Sequence, residues 1–108
     1  MKILFTVRKQ YFEDIVRGVK TTEFRKANKR WITIGINAEN DVHAKRLAVG
    51  TFLCGRKVHK RHITGVTLFP NAQAALGREP SEQGKSDLGD GEVIGFHLGE
   101  IVDSKVID

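Results

Sequence analysis

Between Lys2 and Phe24 the hydrophobic period changes twice, from strand to helix and back to strand, and no later stretch repeats that order. Lys2 to Val7 places Ile3, Phe5 and Val7 on one face and Leu4 and Thr6 on the other, which predicts a largely buried first strand. Tyr11 to Val16 follows a helical period instead: Tyr11, Phe12, Ile15 and Val16 share one side, and Glu13, Asp14 and Arg17 the other. Gly18 closes this helix, because glycine accepts the left-handed conformation that ends one. From Val19 to Phe24 the β-branched Thr21 and Thr22 favour a second strand.

Beyond that opening the strands are short and their spacing irregular. Trp31 to Ile36 reads as a strand and Asn37 to Asp41 as a loop. Leu47 to Cys54 and Ile63 to Phe69 read as a hairpin joined by a basic turn that holds Gly55, Arg56, Lys57, His59, Lys60, Arg61 and His62. Pro70 to Gly91 is the longest irregular region, with helix expected only over Ala72 to Leu76, and Glu92 to Val102 forms the last strand. Without a regular βαβ alternation, this order predicts an α+β fold: a small mixed β-barrel with a short helix between its first two strands, capping one end. With 108 residues there is material for one hydrophobic core, so a single domain over 1–108 is expected.

Charge narrows the partners. Residues 1–62 hold 15 Lys/Arg and 5 Asp/Glu, whereas residues 63–108 hold 3 and 8, so a strongly basic first part is followed by an acidic second. A field segregated in this way attracts polyanions to one end, RNA first and DNA by the same phosphate attraction, although a solvated surface with an incidental bias gives the same count. Cys54 is the only cysteine, which excludes an intramolecular disulfide and a Cys-rich zinc site. Thr6, Arg8 and Lys9 cut the first apolar run far short of a signal peptide, and no stretch has the length of a membrane span, so a cytoplasmic protein is expected.

One stretch concentrates chemistry: Gly18-Val19-Lys20-Thr21-Thr22-Glu23-Phe24-Arg25. Pleating puts Glu23 and Arg25 on one face, while Lys20, one position out of phase, leaves the helix where the pleat does not yet hold. A guanidinium fixed beside a carboxylate can hold a phosphate or a base edge, and a lysine shielded from water can serve as a base. An exposed strand whose charges merely pair, at about 0 to 1 kcal/mol each, fits the same spacing.

Residues 3–26, ILFTVRKQYFEDIVRGVKTTEFRK, resemble the opening of the ASCH domain family, which is related to the PUA RNA-binding fold. Gly18, Lys20, Glu23 and Arg25 match its Gly-x-Lys-x-x-Glu-x-Arg pattern in register, Arg8 falls in the matching strand–helix segment, and Ile63-Thr64-Gly65-Val66 is similar to a later family strand. The resemblance implies a PUA-like β-barrel whose motif residues line a cleft beside the first helix and bind RNA or a modified nucleoside or nucleotide. Expected there are Arg8, Lys20, Thr22, Glu23 and Arg25, with Lys57, Lys60 and Arg61 of the basic turn making backbone phosphate contacts. Some members are similar to amidohydrolases that deacetylate N4-acetylcytidine through a lysine-activated threonine. This chain departs from them, because Glu23 stands at the threonine position and a carboxylate is a poor replacement for a hydroxyl that must be acylated. Others resemble ribonucleases, and in a hydrolase of either kind Lys20 and Glu23 would be the catalytic pair.

No cofactor is expected. His59 and His62 have the spacing of a metal pair, but His43 and His97 are isolated and Lys57, Lys60 and Arg61 would repel a divalent ion, so no metal is expected either. Trp31 follows Lys26, Lys29 and Arg30, which suits a base-stacking platform, while a lone tryptophan before an Ile-rich run suits the core. Gly89-Asp90-Gly91 reads as a turn rather than a phosphate loop.

Overall fold

The computed structural model describes residues 1–106. Its elements run β1 (Lys2–Thr6), α1 (Lys9–Val16), β2 (Thr22–Lys26), α2 (Lys29–His43), β3 (Val49–Cys54), β4 (Lys57–Phe69), α3 (Ala72–Leu76), α4 (Glu82–Leu88) and β5 (Val93–Val106). The strands form one five-stranded mixed sheet in the order β1-β3-β4-β5-β2, with β1 parallel to β3 and every other pair antiparallel. The first two strands therefore lie on opposite edges, and α1 carries the chain between them.

The α+β class and the early helix are as the sequence predicts, but the barrel is not closed. No ladder joins β1 to β2 among the described residues. A side chain bridges these edges instead: Arg25 Nη2 on β2 donates to the carbonyl oxygen of Thr6 at the end of β1, at 3.1 Å. The backbone groups that a ladder would pair are left facing a gap, and the gap is where a cleft opens.

One face of the sheet carries the main core. Ile3 and Phe5 of β1, Phe52 of β3, Ile63 of β4, and Ile94, Phe96 and Leu98 of β5 pack against Phe12 and Ile15 of α1 and Trp31 and Ala38 of α2. Phe5 lies at the centre, stacked on Trp31 at 5.3 Å and on Phe52 at 4.9 Å, with Phe96 edge-on at 5.2 Å. A second, smaller cluster of Ala72, Leu88 and Val93, flanked by Phe24 and Phe69, seats α3 and α4. Val93 and Ile94 are adjacent in β5 and belong to different clusters, so the pleat places these two helices on the sheet face opposite the main core.

α2 replaces the strand expected over Trp31–Ile36. Asn28 caps it, its side chain accepting the Trp31 N–H at 2.9 Å, and Trp31, Gly35 and Ala38 form its buried stripe. The β-branched run Ile32-Thr33-Ile34 suggested a strand, yet Ile32 and Ile36 are exposed and the burial follows the helical period through Ala38 and Val42. The anticipated basic turn also differs. Gly55, with φ of +59°, and Arg56 alone make the connection, so His59, Lys60, Arg61 and His62 are residues of β4 that alternate between its faces. Within Pro70–Gly91 the expected Ala72–Leu76 helix is present, and α4 is an addition capped by Ser81, whose side chain accepts the Gly84 N–H at 3.1 Å. Only Leu88 of α4 is buried, so no apolar period marked it.

His59 is fully buried, edge-on to the Phe12 ring, and neither ring nitrogen has a hydrogen-bond partner among the described residues. Burial first, and then the nearby Arg61 charge, hold its pKa below the usual 6.5. A histidine depressed in the folded state stabilises the fold above its unfolded pKa, and that contribution is lost as pH falls below about 6.5 toward the folded value. Denaturant midpoints are therefore expected to drop between pH 6.5 and 5, by at most about 1.4 kcal/mol per pH unit, and the drop should flatten in His59→Leu. Parallel pH profiles for the two proteins would show the acid loss to arise elsewhere.

Candidate functional site

The gap between the β1 and β2 edges opens into a cleft of about 610 Å³. β2 supplies the floor. Glu23 and Arg25 pair with Phe96 and Ile94 of β5 and share their core-facing side, as the pleat requires. Lys20 joins them because the chain turns tightly after α1: the Asp14 carbonyl accepts both the Val19 N–H, at 2.9 Å, and the Lys20 N–H, at 3.0 Å, and Gly18 takes a φ of +76°. The three side chains that the sequence placed within six residues thus converge.

Glu23 is the pivot. Its residue is 3% exposed, and its carboxylate stands between two cations, with Lys20 Nζ 2.6 Å from Oε1 and Arg25 Nη2 2.7 Å from Oε2. Arg25 Nε also donates to Oε2, at 3.2 Å. The Lys20 contact is an ion pair without hydrogen-bond alignment, so Oε1 has no directed donor among the described residues. Lys20 Nζ sits 4.7 Å above the Tyr11 ring, and the Arg25 guanidinium lies 5.2 Å from Phe5 and 5.1 Å from Trp31.

Arg25 is held rigidly and is not used up. Of its five N–H donors, Nε and Nη2 serve Glu23 and Thr6, while Nη1 donates to no group among the described residues. A planar donor fixed from behind by a carboxylate and two aromatic faces suits an anionic oxygen or a base edge. Of the charged side chains that line the cleft, Arg8, Lys20, Arg25, Lys26 and Arg78 are cationic and Glu23 and Asp87 acidic, so its field is positive.

The other predicted positions divide. Arg8 lines the cleft and pairs with Asp87 of α4. Thr22 lies on the opposite face of β2, where its hydroxyl contacts His97 Nδ1 at 3.3 Å. Lys57 and Lys60 are on β4 and do not line the cleft; Lys57 borders a separate, largely apolar recess of about 350 Å³ beside α1. Arg61 corrects the expectation of a phosphate contact. It is 9% exposed, and its guanidinium donates to the Ile15 carbonyl at 2.9 Å and the Gly99 carbonyl at 2.6 Å, which ties the end of α1 to the sheet. Trp31 is mostly core, its residue 8% exposed, and reaches the cleft through its edge.

Sequence reasoning missed the outer wall. Leu76, Arg78, Ser81, Gly84, Asp87 and Leu88 all come from Pro70–Gly91, where the sequence predicts only the helix ending at Leu76. Nothing in their spacing places them opposite β2, because α3 and α4 reach that position through the second apolar cluster, which joins them to Phe24 of β2, far earlier in the chain.

No protein-family model matches the chain, and no curated protein does. Among solved structures it is similar to the crystal structure of a ZmASCH mutant protein from Zymomonas mobilis, with a TM-score of 0.62 and 15% identity over 99% of this chain and 75% of that one. At that identity the likeness is one of fold. The chain has the α+β fold of an ASCH domain protein, as the resemblance of residues 3–26 implied. No helix among the described residues is long and apolar enough to cross a membrane.

Proposed function

We propose that the cleft binds RNA or a modified nucleotide, with Lys20, Glu23 and Arg25 as the recognising group. One observation carries this reading: a buried carboxylate fixes an ammonium and a guanidinium side by side in a positively charged hollow, and Arg25 Nη1 is left for a ligand to satisfy. Donors presented together match the acceptor edge of a nucleobase, and the surrounding cations match its phosphate. Tyr11 adds aromatic surface to the same lining.

Titration with single-stranded RNA and with N4-acetylcytidine, assayed at once for binding, released acetate and strand cleavage, tests it. RNA affinity is expected to fall steeply with salt, and Lys20→Ala to weaken binding about tenfold or more at constant ionic strength. Binding that ignores both salt and Lys20→Ala would place the ligand elsewhere.

A hydrolytic reading has its own support in the 2.6 Å Lys20–Glu23 contact, since a carboxylate can take a proton from an attacking water and the neighbouring ammonium can give one to the leaving group. An acyl-threonine route is disfavoured, because Thr22 faces away from the cleft. Turnover that survives Glu23→Gln would exclude the pair from any such chemistry.

A further inference from the structure

Arg8 and Asp87 pair with one another and both line the cleft. Arg8 Nη1 meets Asp87 Oδ2 at 2.5 Å, joining the start of α1 to α4. The other oxygen of Asp87 accepts from Gln83 Nε2 at 3.1 Å. Arg8 thus donates through one of its five N–H groups, to one oxygen of a singly charged group. Its side chain is 53% exposed and that of Asp87 31%, so the pair stands in water, where such contacts are weak. A phosphate offers three oxygens and up to two charges, and arginine takes it through two parallel hydrogen bonds.

We propose that Arg8 is the phosphate subsite of the cleft and that Asp87 occupies it in the free protein as a displaceable carboxylate. This rests on the nucleotide reading of the cleft and adds to it a ligand class, a phosphorylated nucleoside or RNA in preference to a bare nucleoside. Displacing Asp87 releases α4 from α1 and leaves it on the small Ala72–Leu88–Val93 cluster alone. Ligand entry is thereby expected to loosen α4. The carboxylate also weakens the subsite, because any phosphate must first compete with it.

The test compares the four nucleosides, their 5′-monophosphates and inorganic phosphate on the wild-type chain, Asp87→Asn, Arg8→Gln and the double variant. Asp87→Asn is expected to tighten the monophosphates by about three- to fivefold and leave the nucleosides unchanged. Arg8→Gln should erase the preference for the phosphorylated form, and Asp87→Asn should add nothing once Arg8 is gone. Amide exchange at Gly84 to Leu88 should quicken on adding phosphate. Equal changes for nucleosides and monophosphates in Asp87→Asn would overturn the proposal and make the pair a purely structural tie. Nucleosides that bind through Lys20 and Arg25 with no preference for the phosphate would sink it while sparing the cleft reading. Inorganic phosphate that frees α4 through Arg8, with no nucleoside or monophosphate bound, would uphold the subsite and remove the nucleotide reading.

Discussion

Replacing Glu23 with alanine is expected to cost about 3 kcal/mol of stability and to abolish binding in the cleft. The side chain is 4% exposed and holds both cations, so its loss leaves Lys20 and Arg25 facing one another with no counter-charge between them. Removing one member of a buried ion pair typically costs about 3 to 5 kcal/mol. The lower end applies here because Lys20 and Arg25 are 21% and 23% exposed and can swing partly into water. Glu23→Gln should fall between the two proteins: its carbonyl oxygen still receives Arg25, but the charge that holds Lys20 is gone. Urea denaturation checks the stability and RNA titration the binding. Midpoints of Glu23→Ala within about 0.5 kcal/mol of wild type would mean that the carboxylate only decorates a surface strand, as the spacing alone allowed.

The motif could be read from the sequence because its geometry is local. Glu23 and Arg25 are two apart on a strand, and the turn at Gly18 that swings Lys20 in is set by one glycine and one carbonyl. The same locality made the early strand, helix and strand legible. α2 was misread for an opposite reason. Ile32, Thr33, Ile34 and Ile36 have strand-like side chains, and what makes them helical is Asn28 ahead and Ala38 and Val42 behind, packed on β4 and β5. Arg61 shows the limit most clearly: its charge is visible in the sequence, but the Ile15 and Gly99 carbonyls that claim it lie 46 and 38 residues away. Cation counts alone do not say which cations are free.

The cleft itself follows from an incomplete closure. β2 is an edge strand, so its two faces and its free edge meet at one place. Glu23 and Arg25 look toward the main core, Phe24 and Lys26 toward the second cluster, and the cleft wraps around the edge between them. A closed ladder between β1 and β2 would use the Thr6 carbonyl and fill the gap. The Arg25 side chain instead takes that carbonyl, and its Nη1 donates to no group among the described residues. Structural bridge and recognition group are therefore the same residue.

Phe5→Ala is expected to be the most destabilising single change in the molecule, at about 4 kcal/mol. The ring is fully buried and touches Trp31, Phe52 and Phe96 at once, so its removal leaves a cavity whose walls belong to three separate elements and cannot readily collapse. For a chain of this length that is a large share of the folding free energy, of order 5 to 15 kcal/mol for natural domains. The effect reaches the cleft as well. The Arg25 guanidinium lies 5.2 Å from this ring, so a loosened Phe5 site frees the arginine to leave Glu23 and Thr6. Phe5→Leu fills most of the space and should cost about 1 to 2 kcal/mol, yet it lacks the aromatic face that the guanidinium rests on. Two measurements separate the contributions. Denaturant midpoints should rank wild type above Phe5→Leu and Phe5→Leu above Phe5→Ala, and under conditions where Phe5→Leu is fully folded its affinity for RNA should still be several-fold weaker. Wild-type affinity in folded Phe5→Leu would show that Glu23 and the Thr6 carbonyl position Arg25 without help from the core.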